Sequence, residues 1–448
     1  MTVDWLLKGE PRPVQMEALR RSYPRKSWGH FLDMRLGKSA VDLNEFMLFR
    51  RDFSYKWHIV LSPNSFKQDW ADFAVYWGLD VPCHLFESTE RDKAKWFVKK
   101  NNEGMIVVNY EALLSKDTLE FLMSICGPQT MITADESISI KNNNSAYFKG
   151  ALQLAKECGA RRALTGKPTT QGAHDLWAQL RFIGEIEGVN YFAWRNTYCV
   201  MGGFQGKQIL RGERGLKNPD RLKEILDHCS WSARKSDWLN TPGKEYAVRN
   251  LTMIREQAYI YKQMEKDFIT ELENGTTITA DQVVTKMMKL QQITSGFVID
   301  EFQVAHDIMP LASNPKVSEV KRMLEEEITG KLLVITNFRH STDILMRALK
   351  EFSPTYIQGG MSPEAITEQK RLFNETDSSV MIGQAKATKY GHKLMGNAKD
   401  PCLTTVYFEN TYSLDDRSQT EERNQGEGQQ GLITLMDFAA SPMDRAAI

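Results

Sequence analysis

One rhythm, present twice, constrains this chain more than any other feature. In the first half, short apolar runs at residues 58–61, 105–108, 131–134 and 163–164 alternate with longer amphipathic stretches. In the second half, runs at 332–336, 380–382, 406–408 and 433–436 repeat the pattern. Runs this short, several of them rich in β-branched residues, suit strands covered on both faces of a parallel sheet. Helical-period segments between them, such as 341–352 and 364–373, supply the crossovers of βαβ units. The sequence therefore predicts an α/β chain with two sheet-bearing lobes. A different texture lies between the lobes: 256–272 and 281–292 are long, polar and helical in period, which predicts a helical insertion at about 250–300. Thr241-Pro242-Gly243, within 236–244, reads as a linker. The lobes are accordingly placed at 1–235 and 236–448.

Charge excludes one class of function. Lys+Arg and Asp+Glu number 57 each, so a passive, charge-driven nucleic-acid coat is not expected, although a local binding groove is compatible with neutrality. Cys83, Cys126, Cys158, Cys199, Cys229 and Cys402 include no Cys-x-x-Cys pair and no histidine at zinc-ligand spacing, which predicts free thiols in a reducing compartment. No run approaches the roughly 18 apolar residues needed to span a membrane, and the polar N-terminus carries no secretory pattern. A cytoplasmic protein is expected.

In the segment 31–40, Phe-Leu-Asp-Met-Arg-Leu-Gly-Lys-Ser-Ala, Gly37-Lys38-Ser39 reads as the end of a phosphate-binding loop, although the usual first glycine of such a loop is Leu32 here. In such a loop, backbone N–H groups at a helix N-terminus face phosphates. The Lys38 ammonium reaches the β- and γ-phosphates, and the Ser39 hydroxyl binds Mg²⁺. Alone the triplet is a weak signal, arising by chance in on the order of one chain in five of this length. Asp135-Glu136, directly after the apolar run 131–134, strengthens it. Two acids at the carboxyl end of a buried strand suit the ligand crevice of an open α/β sheet. Asp135 would hold Mg²⁺, and Glu136 would orient or deprotonate the attacking water.

With these residues in place, the spacing resembles the Swi/Snf branch of helicase superfamily 2. Arg12-Pro13-Val14-Gln15 looks like its adenine-reading element. Leu61-Ser62-Pro63 with Gln68-Asp69-Trp70 and Phe73, and Val107-Val108-Asn109-Tyr110-Glu111, are similar to the next two motifs. Asp135-Glu136-Ser137 with Ile140-Lys141-Asn142 resembles the Asp-Glu box. Leu164-Thr165-Gly166-Lys167-Pro168-Thr169, then Leu176-Trp177, is similar to the long Leu-Thr-Gly-Thr-Pro signature. In the second lobe, Val334-Ile335-Thr336-Asn337-Phe338-Arg339-His340, Gln358-Gly359-Gly360, Arg371-Leu372-Phe373-Asn374, the stretch 383–394 and Gln419-Thr420-Glu421-Glu422-Arg423 continue the match. The resemblance covers about residues 10–445 and is closest in form to short, bacteriophage-encoded members.

The resemblance implies two tandem RecA-like lobes that close on ATP and step along one strand of duplex or branched DNA. It implies that Gln15, Gly37, Lys38, Ser39, Arg417 and Gln419 bind the nucleotide. Lys38, Asp135, Glu136 and Arg423 would carry the chemistry. Ser62, Tyr110, Thr165 and Gly166 in one lobe, and Asn337 and Arg339 in the other, would form the nucleic-acid track. Contacts to phosphates make such binding sequence-independent and salt-sensitive.

Several positions depart from the family pattern. The histidine after Asp-Glu-Ser is Ile138, the threonine before proline is Lys167, and the paired glycines of the fifth motif are Thr388 and Lys389. The second arginine of the sixth motif falls on Gly426. Loss of such an arginine finger costs about 10³–10⁵ in rate. Lys389, His392 or Arg417 could substitute, a protein partner could supply an arginine in trans, or the chain could act as an ATP-gated clamp with weak turnover. An RNA-polymerase-associated remodeler is a further alternative within the family. A general phosphohydrolase would account for neither Gln15 nor the second lobe. Lys93, Lys95, Lys99 and Lys100, interspersed with acids, read as a solvated helix face. Trp177 and Trp194 read as core residues.

Overall fold

The computed structural model describes residues 3–202, 208–210, 215–239, 243–273, 280–388, 393–425 and 431–447. The chain divides into two compact units, Met1–Leu239 and Asn240–Ile448. Lys389, His392 and Gly426 lie outside the described residues, as do the linker residues Thr241 and Pro242.

The first unit runs α1 (Pro13–Ser22), β1 (Ser27–Leu32), α2 (Lys38–Phe53), β2 (Trp57–Ser62), α3 (Lys67–Tyr76), β3 (Cys83–Leu85), α4 (Arg91–Lys100), β4 (Gly104–Asn109) and α5 (Lys116–Met123). It continues with β5 (Thr130–Asp135), α6 (Ala146–Glu157), β6 (Ala160–Leu164), α7 (Asp175–Ile183), α8 (Tyr191–Tyr198), a small hairpin of β7 (Met201–Gly202) and β8 (Gln208–Ile209), α9 (Pro219–Cys229), β9 (Ser230–Ala233) and α10 (Lys235–Trp238). Seven strands form one sheet in the order β3-β4-β2-β5-β6-β1-β9, and every pairing in it is parallel. All four apolar runs predicted in this half fall on its strands. Each face is covered by helices, so Ile59, Leu61, Ile106, Val108 and Ile132 are buried in one cluster and Val60, Met105 and Val107 in another. Trp194 is buried, its indole N–H bonded to Ala173 O at 2.9 Å.

The second unit runs β10 (Lys244–Asn250), α11 (Arg255–Glu273), α12 (Ala280–Ser295), β11 (Phe297–Ile299), β12 (Ala305–Asp307), α13 (Pro315–Arg322), β13 (Lys331–Thr336), α14 (Arg339–Ala348), β14 (Thr355–Ile357) and α15 (Pro363–Glu375). It closes with β15 (Val380–Gln384), α16 (Ala385–Thr388), β16 (Cys402–Tyr407), α17 (Leu414–Thr420), β17 (Ile433–Ala439) and α18 (Pro442–Ala447). Its sheet is also fully parallel, in the order β10-β17-β16-β13-β15-β14. Helix starts are locally encoded. Ser362 caps α15 by accepting from Ala365 N, and Asn314 caps α13 by accepting from Lys316 N and Val317 N. A proline follows each cap, where its missing N–H costs nothing. The predicted helical insertion corresponds to α11 and α12. No helix among the described residues is long and apolar enough to cross a membrane.

One buried ionic knot fixes α2 against the first sheet. Arg162 on β6 donates Nε to Glu45 Oε2 at 2.9 Å and Nη2 to Glu45 Oε1 at 3.0 Å. Its remaining N–H groups reach the carbonyls of Arg25, Lys26 and Arg161. His30 Nε2 on β1 bonds the same carboxylate at 2.8 Å, and all three side chains are fully buried. Burial alone would raise the Glu45 pKa, but the Arg162 guanidinium and His30 outweigh it and hold the carboxyl down at about 2.

A buried pair broken on one side leaves an uncompensated charge and costs about 3–5 kcal/mol. Arg162→Met is therefore expected to lower unfolding free energy by about that amount, and the double variant Arg162→Met/Glu45→Met by less than the two single losses added together. Because the folded Glu45 pKa is depressed, its contribution is complete above about pH 5 and disappears as the pH falls toward 2. Urea denaturation across this range checks both expectations. Additive losses, or a wild-type pH profile retained in Glu45→Gln, would contradict them.

Candidate active site

Adjacent strands bring the candidate chemical groups of the first unit together. In the order β5-β6-β1, three neighbouring carboxyl ends deliver Asp135-Glu136, Thr165-Gly166 and the loop that leads into α2. Parallel strands present all their carboxyl ends on one edge, where an open α/β sheet binds ligands.

The loop after β1 ends at Gly37, whose φ of +84° is left-handed. A side chain there would be strained, and a Cβ would collide with Gln15 Nε2. Gln15 is buried against this loop. Its Oε1 accepts from Arg12 N at 2.8 Å, and its Nε2 donates to Gly37 O at a long 3.4 Å. Arg12 Nη1 donates to Arg35 O at 2.7 Å. The loop is thus clamped from α1. Lys38 is the first residue of α2, and its Nζ turns back to donate to Leu32 O at 2.8 Å and Asp33 O at 3.5 Å. Ser39 follows it at the helix N-terminus, half-buried.

The acids are almost without solvent: Asp135 is 4% exposed and Glu136 6%. Asp135 Oδ2 accepts from the Trp70 indole at 2.8 Å, and Oδ1 accepts from Glu136 N at 3.0 Å. Tyr110 Oη donates to Asp135 O at 2.7 Å. Ser62 Oγ stands 3.5 Å from Asp135 Oδ2. Burial, then the Glu136 charge, pushes the Asp135 pKa up to about 7 against the pull of Trp70 and Lys38. Glu136 itself sits at φ +46°, a backbone region that a non-glycine residue adopts only at a cost. That twist aims its carboxylate at Thr165, whose Oγ1 donates to Glu136 Oε2 at 3.2 Å. Ser39 and Asp135 are the oxygen donors that could hold a divalent cation. A desolvated, mutually repelling acid pair is an environment that such a cation relieves.

Three residues expected on the nucleic-acid track, Ser62, Tyr110 and Thr165, are buried, and their hydroxyls face Asp135 and Glu136. Gly166 lies in the turn after β6, and Lys167, the departure from the family pattern, is exposed beside it. Ile138 lies in the turn following Glu136. The sequence motif containing Trp70 does not signal its bond to Asp135, which depends on how α3 packs and which no local pattern states.

In the second unit, Asn337 follows β13. Its N–H donates to Glu409 Oε2 at 2.8 Å, and its Nδ2 reaches Asn410 O at 2.8 Å and Gln291 Oε1 of α12 at 3.3 Å. Ser341 Oγ donates to the other oxygen of Glu409. Sequence reasoning missed Glu409, a fully buried acid whose pKa is raised by desolvation against the pull of Lys316. Arg339 is exposed and donates to Gly359 O at 2.7 Å. Arg417 is held inside its own unit: it pairs with Asp437 and Glu421 and lies over the Tyr407 ring, 3.5 Å from its centroid. Arg423 is buried too, its Nε donating to Gln419 O at 2.6 Å.

The chain is similar to several known proteins. Over 437 residues the chain is 24% identical to protein p41 of Acyrthosiphon pisum secondary endosymbiont phage 1, covering 92% of this chain and 88% of that one. It is 24% identical to the transcription regulatory protein SNF2 of Saccharomyces cerevisiae over 403 residues, 85% of this chain but only 23% of that much longer protein. Among solved structures, the Sulfolobus solfataricus SWI2/SNF2 ATPase core in complex with dsDNA aligns with a TM-score of 0.47 and 17% identity, covering 98% of this chain and 90% of that chain. The model of the SNF2-related domain matches residues 22–296, more than half of the chain, and the protein belongs to that family.

Proposed function

We propose that this SNF2-family helicase-like core hydrolyses ATP and uses the cycle to move along, or remodel, duplex or branched DNA. The observation that carries the reading is the nearly solvent-free Asp135–Glu136 pair at the strand edge that also ends in the clamped loop before Lys38. In this reading Gln15 reads the base, Gly37 N and the N-terminus of α2 face the phosphates, and Lys38 exchanges the carbonyls of Leu32 and Asp33 for phosphate oxygens. Ser39 and Asp135 would hold Mg²⁺, which neutralises phosphate charge when bound. Glu136, fixed by Thr165, orients the attacking water and accepts its proton. Arg423, Arg417 and Gln419 are assigned to the nucleotide by the family pattern.

For the track we propose the loops at the carboxyl ends of the strands. Ser62, Tyr110 and Thr165 support them from beneath, linking the loops to the two acids, while Gly166, Lys167, Asn337 and Arg339 offer backbone and cationic contacts to phosphates. The replacement of threonine by exposed Lys167 adds one charge to this edge. The second reading, an ATP-gated clamp with slow turnover, is favoured by Gly426 standing where the family has its second arginine.

Steady-state phosphate release titrated with single-stranded, duplex and forked DNA tests the proposal. Lys38→Ala is expected to lower turnover by about 10²–10³ and Glu136→Gln by about 10²–10⁴. Wild-type release no faster than that of Lys38→Ala, with and without DNA, would eliminate the motor. Gly426→Arg separates the two readings: under the clamp reading it raises turnover by at least about tenfold toward the 10³ or more that an arginine finger supplies, whereas no increase means that hydrolysis does not wait on that arginine. Lys167→Ala is expected to weaken duplex binding at every sequence and to reduce the slope of log affinity against log salt by about 1. An unchanged slope would remove Lys167 from the track.

A further inference from the structure

The phosphate loop is tied to the segment through which the chain leaves the first unit. Asp33, the first residue after β1, donates its N–H to Ala233 O at 3.0 Å. Its carboxylate Oδ2 accepts from Lys235 N, the first N–H of α10, at 2.9 Å. The backbone carbonyl of the same residue receives Lys38 Nζ at 3.5 Å and Leu36 N at 3.3 Å. One residue therefore touches the nucleotide-binding lysine on one side and caps the last helix of the unit on the other. Packing repeats the link. Leu36 of the loop is fully buried in a cluster with Leu32 and Ala233, and Trp231 and Leu239 pack against that cluster. Trp231 meets Trp238 of α10 edge-on at 5.8 Å, and Arg21 lies over Trp231 at 5.1 Å. Leu239 is the final residue of the first unit, and its N–H is bonded to Lys235 O at 2.9 Å.

We infer that Asp33 is a positioning residue that carries nucleotide occupancy from the phosphate loop to the exit segment 234–239, the covalent path into the second unit. The inference rests on the ATPase reading. When Lys38 turns from the Leu32 and Asp33 carbonyls to a phosphate, the loop loses two of its own acceptor contacts. Asp33 is free to shift with the loop only if its carboxylate carries α10 along or releases Lys235 N. Either response changes the hydrogen bonding of α10. The first unit thereby signals its nucleotide state along the chain itself, in addition to anything the lobes exchange across space.

The test turns on a single N–H. Lys235 occupies the first helical position after Arg234, whose backbone is extended at φ −89° and ψ 143°. Proline is tolerated there and after such a residue. Lys235→Pro therefore removes the donor to Asp33 while keeping the helix start, and Lys235→Ala removes the same side chain but keeps the N–H. Amide exchange at Asp237 and Leu239 is measured with and without a non-hydrolysable Mg·ATP analogue, alongside the analogue's affinity. The expected result is a nucleotide-linked change of at least about threefold in wild type and Lys235→Ala, lost in Lys235→Pro although the analogue still binds. Asp33→Asn, which keeps an oxygen acceptor, is expected to respond, and Asp33→Ala is not. An equal response in Lys235→Pro and Lys235→Ala, or no response in a wild type that binds the analogue, overturns the inference and leaves the ATPase reading standing. A wild type that binds no analogue overturns both.

Discussion

Two carboxylates in succession, nearly stripped of water, set the terms for the whole first unit. Burying an ionised acid is costly, and burying two side by side is costlier. The surroundings answer this with directed donors: the Trp70 indole, the Glu136 amide and the Thr165 hydroxyl. They do not neutralise it, since Asp135 remains raised to about 7. Positive charge comes from the helix start, where the Lys38 ammonium pulls the Asp135 pKa down without overcoming burial and Glu136. Sheet order explains why these groups meet. β6 lies between β5 and β1, so the Thr165-Gly166 turn stands between the acids and the loop and touches Glu136 directly.

The second unit solves a related problem differently. One of its buried acids, Glu409, is satisfied by internal partners: the Asn337 amide, Ser341, and the Lys316 charge nearby. Lys316 in turn donates to Phe408 O at 2.9 Å and stands 3.7 Å from Asp444. Through Gln291 the same network reaches α12, so the helical insertion is hydrogen-bonded to the loop that follows β13. Arg417 is similarly committed to Asp437, Glu421 and the Tyr407 ring. An arginine so held would give up two ion pairs to act elsewhere, which makes it a good anchor for α17.

Much of the fold was legible because parallel strands buried on both faces leave uninterrupted apolar runs, and the eight short runs fall on strands, with Phe408 alone lying one residue beyond β16. β1 escaped notice because Ser27, Gly29 and His30 break its pattern; His30 is acceptable inside only because Glu45, from a helix 15 residues later, satisfies it. β3 and β14 are three residues each, too short for any period to show. The candidate site residues Lys38, Asp135 and Glu136 stand out in the sequence because their local context, a helix start and a strand end, is itself legible. Trp70, Glu409 and Asp33 were not readable as functional groups, because each acts on a residue between 65 and 202 positions away or across a strand end that only tertiary packing brings near. The inward direction of Ser62, Tyr110 and Thr165 was hidden for the same reason.

On the proposed reading, the desolvated acids and Lys38 form one nucleotide site, with Asp135 needed for binding and Glu136 for the chemical step. Equilibrium binding of a fluorescent ATP analogue with Mg²⁺ separates these roles most directly. Asp135→Asn and Lys38→Ala are each expected to lose at least about tenfold in affinity, roughly the loss of one charge-assisted contact, while Glu136→Gln binds as tightly as wild type. Equal affinity in all four proteins would contradict it.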